Sequence, residues 1–289
     1  MPSSPHPPVT LHSGPDAVGL AKLREYYKSS EGYRAHLEAK GARYFAEFVD
    51  VVRGCSSASD RILDVGCGTG ESTRQIMRCG RNVVGTDLSR LFLQPEGTVH
   101  TAGPPFVTSD AARLPFADGS FDVVCAMEFI EHVWPVEAVL REMDRILKPS
   151  GRIVIMSPNL LSPIWPLRDL PEMLLHHRFR PPFYASFREA AGFFYRSCRL
   201  SLKKMLSQQP QYVPRDPDVE HADGGGDYDS VYCSNGRDLL LFFRKAGYEV
   251  QFARGECTSF RGRVRRLVAR FCGSLWTAFL LRATKSADR

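Results

Sequence analysis

The sequence predicts an α/β fold: a parallel sheet with helices on both faces and an insertion after the fifth strand. Short apolar runs alternate with segments of helical period between residues 61 and 156. Such alternation needs crossover helices that cover both faces of the sheet. The first apolar run enters a turn with three glycines at alternate positions, Gly66, Gly68 and Gly70. The rhythm stops at 157 and returns at 236, which marks the insertion.

In chain order, residues 1–16 are rich in Pro, Ser and His and are expected to be a disordered tail. Residues 17–53 read as helix, with Leu20, Leu23, Tyr26 and Tyr27, then Leu37, Tyr44, Phe45, Phe48 and Val52 at three-to-four spacing. Residues 61–65 form the first strand, 72–79 a helix, 82–86 the second strand and 105–109 a weaker third. Residues 121–127 are a strongly apolar fourth strand. A helical period over 136–147 stops at Lys148-Pro149-Ser150-Gly151, and 152–156 is the fifth strand. These elements place a core over 17–157 and an insertion over 158–232. The insertion carries many prolines, an apolar and basic helix near 183–206, and a Gly-rich acidic stretch over 223–229. Residues 233–289 return to the core with a helix over 236–246 and a strand over 248–253. Near the end, Val264, Leu267, Val268, Phe271, Leu275, Trp276 and Phe279 fall at helical spacing among Arg261, Arg263, Arg265, Arg266 and Arg270. Two readings stand for it: a basic amphipathic helix lying on an anionic membrane surface, or a helix followed by a last strand over 277–284.

The 289 residues suffice for one large domain with an insertion, and the apolar fraction of 43% is ordinary for a globular protein. The net charge of +6 is unevenly spread. Residues 159–207 hold eight Lys/Arg against three Asp/Glu, and residues 254–289 hold nine against two. The remainder is therefore acidic, and the basic segments point to a partner surface. The eight cysteines form no CxxC pair and no zinc or disulfide frame. The start of the chain lacks the charged and apolar regions of a signal peptide. A cytoplasmic, reducing location is expected, with peripheral membrane contact as a second expectation.

The chemistry sits on Ile62-Leu63-Asp64-Val65-Gly66-Cys67-Gly68-Thr69-Gly70-Glu71-Ser72. Glycines let the backbone approach a ligand, and the helix start offers N–H groups to it. A dinucleotide fold would require G-x-G-x-x-G. Here the spacing is G-x-G-x-G, and Asp64 before it would repel a pyrophosphate but suit a cationic ligand end. Asp87 closes the second strand, and Asp110-Ala111 follows the third. Alone, each Asp reads equally well as a helix cap or turn residue.

In order and spacing these motifs resemble the class I S-adenosylmethionine-dependent methyltransferase family over roughly 60–156 and 236–253. The resemblance implies a Rossmann-like sheet and S-adenosylmethionine as cofactor. Asp64 through Gly70 looks like the family's first motif, which implies cofactor contacts from Asp64, Gly66, Cys67 and Gly68. Asp87 with Leu88 looks like the ribose-binding acid and its neighbour, and Asp110-Ala111 like the adenine contact. Leu114-Pro115-Phe116, Phe121-Asp122-Val123-Val124 and 145–152 match further family segments.

The methylated acceptor is decided outside these motifs. The fourth strand runs into Met127-Glu128-Phe129-Ile130-Glu131-His132-Val133. It lacks the Asn/Asp-Pro-Pro-Tyr tetrapeptide of amide and adenine N-methyltransferases, and no Pro-Cys pair serves cytosine C5 chemistry. The run is most similar to the ubiquinone-biosynthesis O-methyltransferase branch, which implies a small, lipophilic acceptor methylated at a hydroxyl. Methylation of nucleic acid or protein, or of a nitrogen or carbon, is the alternative. Nucleic acid is disfavoured because the basic runs are interleaved with Leu, Phe and Trp. Trp165, Phe179, Phe183, Phe187 and Phe194 would make the insertion a lid over an apolar acceptor; a structural subdomain or dimer contact competes.

Glu128 is expected near the cofactor. If the chain is helical after the fourth strand, Glu128, Glu131 and His132 share a face. Three roles then stand open. The branch resemblance implies a divalent cation such as Mg²⁺ held by the two acids and the His. His132 could alone be the general base. The run could equally be a plain helix start.

Overall fold

A computed structural model describes residues 14–93, 105–180, 183–222, 227–252 and 278–285. Three N-terminal helices, α1 (Ala17–Ser29), α2 (Glu31–Glu38) and α3 (Ala42–Gly54), replace the single helical region read from the sequence. The break between α1 and α2 is Ser30, whose hydroxyl accepts from the Tyr33 N–H and so caps α2. The core follows as β1 (Arg61–Val65), α4 (Glu71–Arg78), β2 (Asn82–Asp87), α5 (Arg90–Leu93), β3 (Phe106–Thr108) and β4 (Phe121–Met127). It continues through α6 (Val136–Ile146) to β5 (Leu147–Pro158). Helices α7 (Ile164–His176) and α8 (Phe187–Leu206) form the insertion, and α9 (Gly236–Lys245), β6 (Tyr248–Phe252) and β7 (Ala278–Lys285) complete the fold.

The seven strands take the order β3-β2-β1-β4-β5-β7-β6. Strands β1 to β5 pair in parallel, and β7 runs antiparallel between β5 and β6. This is the Rossmann-like sheet that the motifs imply. The chain winds outward from β1 through β2 to β3, then crosses back to β4 on the other side. The crevice opened at that reversal lies outside the carboxyl ends of β1 and β4, where open α/β sheets bind ligands.

Alternation along the central strands supplies both faces. Leu63, Val65, Val124 and Ala126 face α6 and α9, packing with Leu140, Met143, Leu239 and Phe243. Ile62, Val123, Cys125 and Val154 face α3 and α4, packing with Phe48, Val52 and Ile76. Strand β5 begins earlier than expected, because Leu147 already pairs with Phe121. The next matched pair is Val123 with Arg152, so the Lys148–Gly151 turn bulges out between them, with Ser150 at φ 61°.

Helix α7 lies in a stretch whose prolines, Pro166 and Pro171, hide its helical period in the sequence. It packs on α8, and Met173, Tyr184, Ala190 and Phe193 form a small core with Trp165, Phe179 and Phe183. The last strand expected over 277–284 is β7. The basic segment from Arg261 to Trp276, the tail over 1–13 and Cys257 and Cys272 lie outside the described residues. No helix among the described residues is long and apolar enough to cross a membrane.

A buried ion pair fastens the insertion to the core. The Lys204 ammonium of α8 and the Asp238 carboxylate of α9 are 2% and 1% exposed and in direct contact. Lys204 also donates to the Gln211 carbonyl at 2.6 Å, and Asp238 accepts from the Tyr232 hydroxyl at 2.8 Å and the Gln211 N–H at 2.9 Å. Removing one member strands the other charge in a dry site. Lys204→Met is therefore expected to lower unfolding stability by about 3–5 kcal/mol. Urea unfolding checks this: a midpoint equal to wild type would show that the pair does not hold the insertion.

Candidate functional site

The site is built where β1 turns into α4. Gly66 and Gly68 sit at φ 67° and 54°, in the left-handed region that favours glycine. A side chain at Gly66 would run into the Phe129 ring, and one at Gly68 would press on Leu37 at 3.2 Å. The N–H groups of Gly66 and Cys67 donate to the Thr86 carbonyl, at 2.8 and 3.0 Å. The turn is thereby pinned across the end of β2, and backbone forms one wall of a cavity of about 550 Å³.

The other walls come from the ends of β2, β3 and β4, from α1 to α3, and from the insertion. Gly66, Cys67, Gly68, Asp87, Leu88, Asp110, Ala111, Glu128 and His132 all line this cavity. Asp64 does not. Its buried carboxylate accepts from the hydroxyls of Ser72 at 2.6 Å and Thr73 at 2.7 Å, tying β1 to the first turn of α4. Burial pushes its pKa up to about 6. The placement corrects the expectation that Asp64 meets a cationic ligand end: the residue supports the turn from behind.

The cavity acids are set by backbone. Asp87 accepts the Gly68 N–H through Oδ2 and the Ser89 N–H through Oδ1, both at 2.9 Å. Burial raises its pKa, and those N–H groups oppose the shift. Asp110 accepts the Ala112 N–H at 2.9 Å and pairs with Arg24 of α1 at 2.8 Å. Glu128 sits at φ 46° and accepts from the Tyr44 hydroxyl and from Lys40 at 3.3 Å. Burial raises the Cys67 thiol pKa well above its ordinary value, so it lines the cavity as a neutral group.

At the end of β4 the chain makes one 3₁₀ turn, Ile130–His132, not the expected helix. Glu128, Glu131 and His132 all line the cavity, but not as one helical face. Glu131 is buried at the cavity wall and accepts from the Ser157 hydroxyl at 3.0 Å. Burial pushes its pKa up to about 8, and the neighbouring His132 opposes the shift. His132 faces the insertion, with Nδ1 3.3 Å from Oδ2 of Asp229 and Nε2 3.8 Å from Oε1 of Glu131. Nδ1 is buried and not aligned for a hydrogen bond, so the Asp229 contact is an ion-pair distance. Burial pulls the imidazole pKa down, but Asp229, Glu131 and Asp227 outweigh it and raise the pKa above the ordinary value. The Tyr27 hydroxyl donates to Asp229 at 2.8 Å, and its ring stands edge-on to the imidazole at 88°. Burial and Asp229 keep the Tyr27 and Tyr33 hydroxyls neutral.

Among the described residues no group of three or more His, Cys, Asp or Glu side chains is arranged to hold a metal ion. Glu128 is held by Tyr44 and Lys40, and Glu131 by Ser157, so the expected Mg²⁺ ligand set does not fit. Sequence reasoning missed Tyr33, Asp227 and Asp229, which line the cavity. Of the insertion's aromatic residues named above, Trp165 lines it, but Phe179, Phe183, Phe187 and Phe194 do not. Phe179 packs on Phe187, and Phe183 on Phe193.

Residues 63–155 match the family described as methyltransferase domain. The chain is similar to a demethylmenaquinone methyltransferase of Beutenbergia cavernae, 32% identical over 178 residues that cover 62% of this chain and 59% of that protein. It is also similar to the O-methyltransferase cnsE of Penicillium expansum, 33% identical over 147 residues, 47% of this chain and 50% of that one. The chain thus spans less than two thirds of the length of the curated relatives it matches first. A solved structure from Listeria monocytogenes, described as an S-adenosylmethionine-dependent methyltransferase, superposes with a TM-score of 0.52 at 14% identity. It covers 83% of this chain and 99% of that one, a likeness of fold.

Proposed function

Since the chain carries a class I S-adenosylmethionine-dependent methyltransferase domain, we propose that it transfers the cofactor's methyl group to a small apolar acceptor at a hydroxyl oxygen. The observation that carries this reading is His132 on the cavity wall with a carboxylate behind it. Bound S-adenosylmethionine supplies an electrophilic methyl group that needs no further activation.

The rest falls to the chain's own residues. The Gly66–Gly68 backbone leaves room for the cofactor's body. Asp87 accepts from the ribose hydroxyls, because each oxygen keeps a lone pair beyond its backbone bond. Asp110 and Ala111 hold the adenine. His132 would take the acceptor's proton as the new O–C bond forms and the methyl–sulfur bond breaks, its electron pair staying on sulfur in the departing S-adenosylhomocysteine, and Asp229 would stabilise the resulting imidazolium. Leu20, Val133, Trp134 and Trp165 give the cavity apolar walls. The demethylmenaquinone named for one relative supports a small lipophilic acceptor but not the choice of atom.

A second reading rests on the carboxylates themselves. Asp227 and Asp229 face the cavity beside His132, and an acceptor amine would pair with them. The same acids repel phosphate, which argues against nucleic acid. Incubating the chain with methyl-labelled S-adenosylmethionine and matched panels of apolar phenols and amines separates the readings. Label is expected on the hydroxyl acceptors. Label on amines alone would replace the oxygen reading by the nitrogen one.

A further inference from the structure

Helix α8 divides its circumference three ways. Ala190, Phe193, Ser197, Ser201 and Lys204 recur at helical spacing and turn inward. Beside that buried row stand Phe187, Phe194, Leu202 and Met205, with Tyr195 and Leu206 further round, all exposed. Leu206 is 75% exposed, Tyr195 67% and Leu202 57%. Beyond this apolar row lie Arg188, Arg196, Arg199 and Lys203, also exposed. No carboxylate among the described residues pairs with these four.

Helix α7, packed on α8, repeats the pattern. Pro166 and Met173 turn inward, while Leu167, Leu170, Leu174 and Leu175 are exposed at helical spacing. Leu175 is 74% exposed, where a helix on a globular surface would carry polar residues. Single exposed leucines need no explanation, but apolar rows on two packed helices do.

We infer that the outer face of α7 and α8 docks on an anionic lipid bilayer, with the leucines in the acyl boundary and the basic row among the headgroups. A helix with an apolar row flanked by a basic row has the geometry of one lying in the membrane interface. The charge decides between lipid and a second copy. A two-fold contact between copies sets the same patch against itself, so the basic rows would oppose each other. An anionic surface instead meets them with opposite charge. The inference rests on α7 and α8 alone, whatever the acceptor.

The test is sedimentation of the full chain with vesicles of phosphatidylcholine, alone or mixed with phosphatidylglycerol. Binding to the mixed vesicles at low salt, weakened by high salt, is expected. Leu202→Asp with Leu206→Asp, and separately Arg196→Glu with Arg199→Glu and Lys203→Glu, should each reduce partitioning by about ten-fold or more. Hydrogen exchange on the wild type needs no variant: mixed vesicles should slow exchange over 164–176 and 187–206. The inference is overturned if the wild type stays in the supernatant at low salt, if both variants bind as well as wild type, or if vesicles leave exchange there unchanged. A dimer that the double leucine variant dissociates would assign the face to a second copy and overturn it too.

Discussion

Replacing Asp87 by alanine is expected to weaken S-adenosylmethionine binding by about 10²–10⁴-fold. The carboxylate stands at the end of β2, held by the Gly68 and Ser89 N–H groups so that both oxygens are fixed. A ribose offers two hydroxyls to it, and a hydrogen bond to a charged group contributes about 1.5–3 kcal/mol. Losing two such bonds gives the stated range at about 1.4 kcal/mol per decade. The sign of the pH effect follows from the raised pKa. Protonation removes the acceptor, so wild-type affinity should fall as the pH drops through that pKa, while the alanine variant stays flat. Calorimetric titration of both proteins checks this, and equal affinities would remove Asp87 from the cofactor site.

What could be read in advance was whatever depended on short-range pattern. Strands β1 and β4 have the bounds expected of them, because an apolar run between a turn and a glycine or charged residue leaves little choice of register. Helix α7 was hidden by composition. Pro166 lies in its first turn, where its missing N–H has no partner to lose, and Pro171 interrupts its interior. A proline-rich stretch reads as loop, and the Met173 contacts with α8 that hold it helical are tertiary.

Site residues divide the same way. Asp87 and Asp110 end or follow strands at the carboxyl edge, so position alone places them at the crevice. Asp64 stands two residues from the turn, inside β1, and alternation turns its side chain to the α4 side with Ile62. The helical face drawn through Glu128, Glu131 and His132 failed at Glu128, whose left-handed backbone ends the strand before a helix can start. Nothing local marks Asp229. It meets His132 only because the Val231 and Tyr232 N–H groups donate to the Glu131 carbonyl, at 2.9 and 3.0 Å, and draw the insertion's end against the 3₁₀ turn.

That juxtaposition sets the largest effect expected on turnover. His132→Ala should reduce kcat by about 10²–10⁴-fold, the usual contribution of a positioned general base. S-adenosylmethionine affinity should change little, since Asp87 and the Gly66–Gly68 turn stay in place. The imidazole accepts a proton only when neutral, so wild-type kcat/KM should rise with pH through its pKa and then level off. Asp229, Glu131 and Asp227 raise that pKa against burial, which puts the rise above the ordinary histidine range near 6.5. Asp229→Asn removes the carboxylate beside Nδ1 and should move the rise to lower pH, with a lower plateau because the imidazolium loses its stabilising charge. A structural role for Asp229 would cut activity at every pH without moving the midpoint. A chelator should leave the wild-type rate unchanged, because Glu128 is held by Tyr44 and Lys40 and Glu131 by Ser157. Normal turnover by His132→Ala would refute the base, and loss with EDTA restored by Mg²⁺ would return the three residues to a metal.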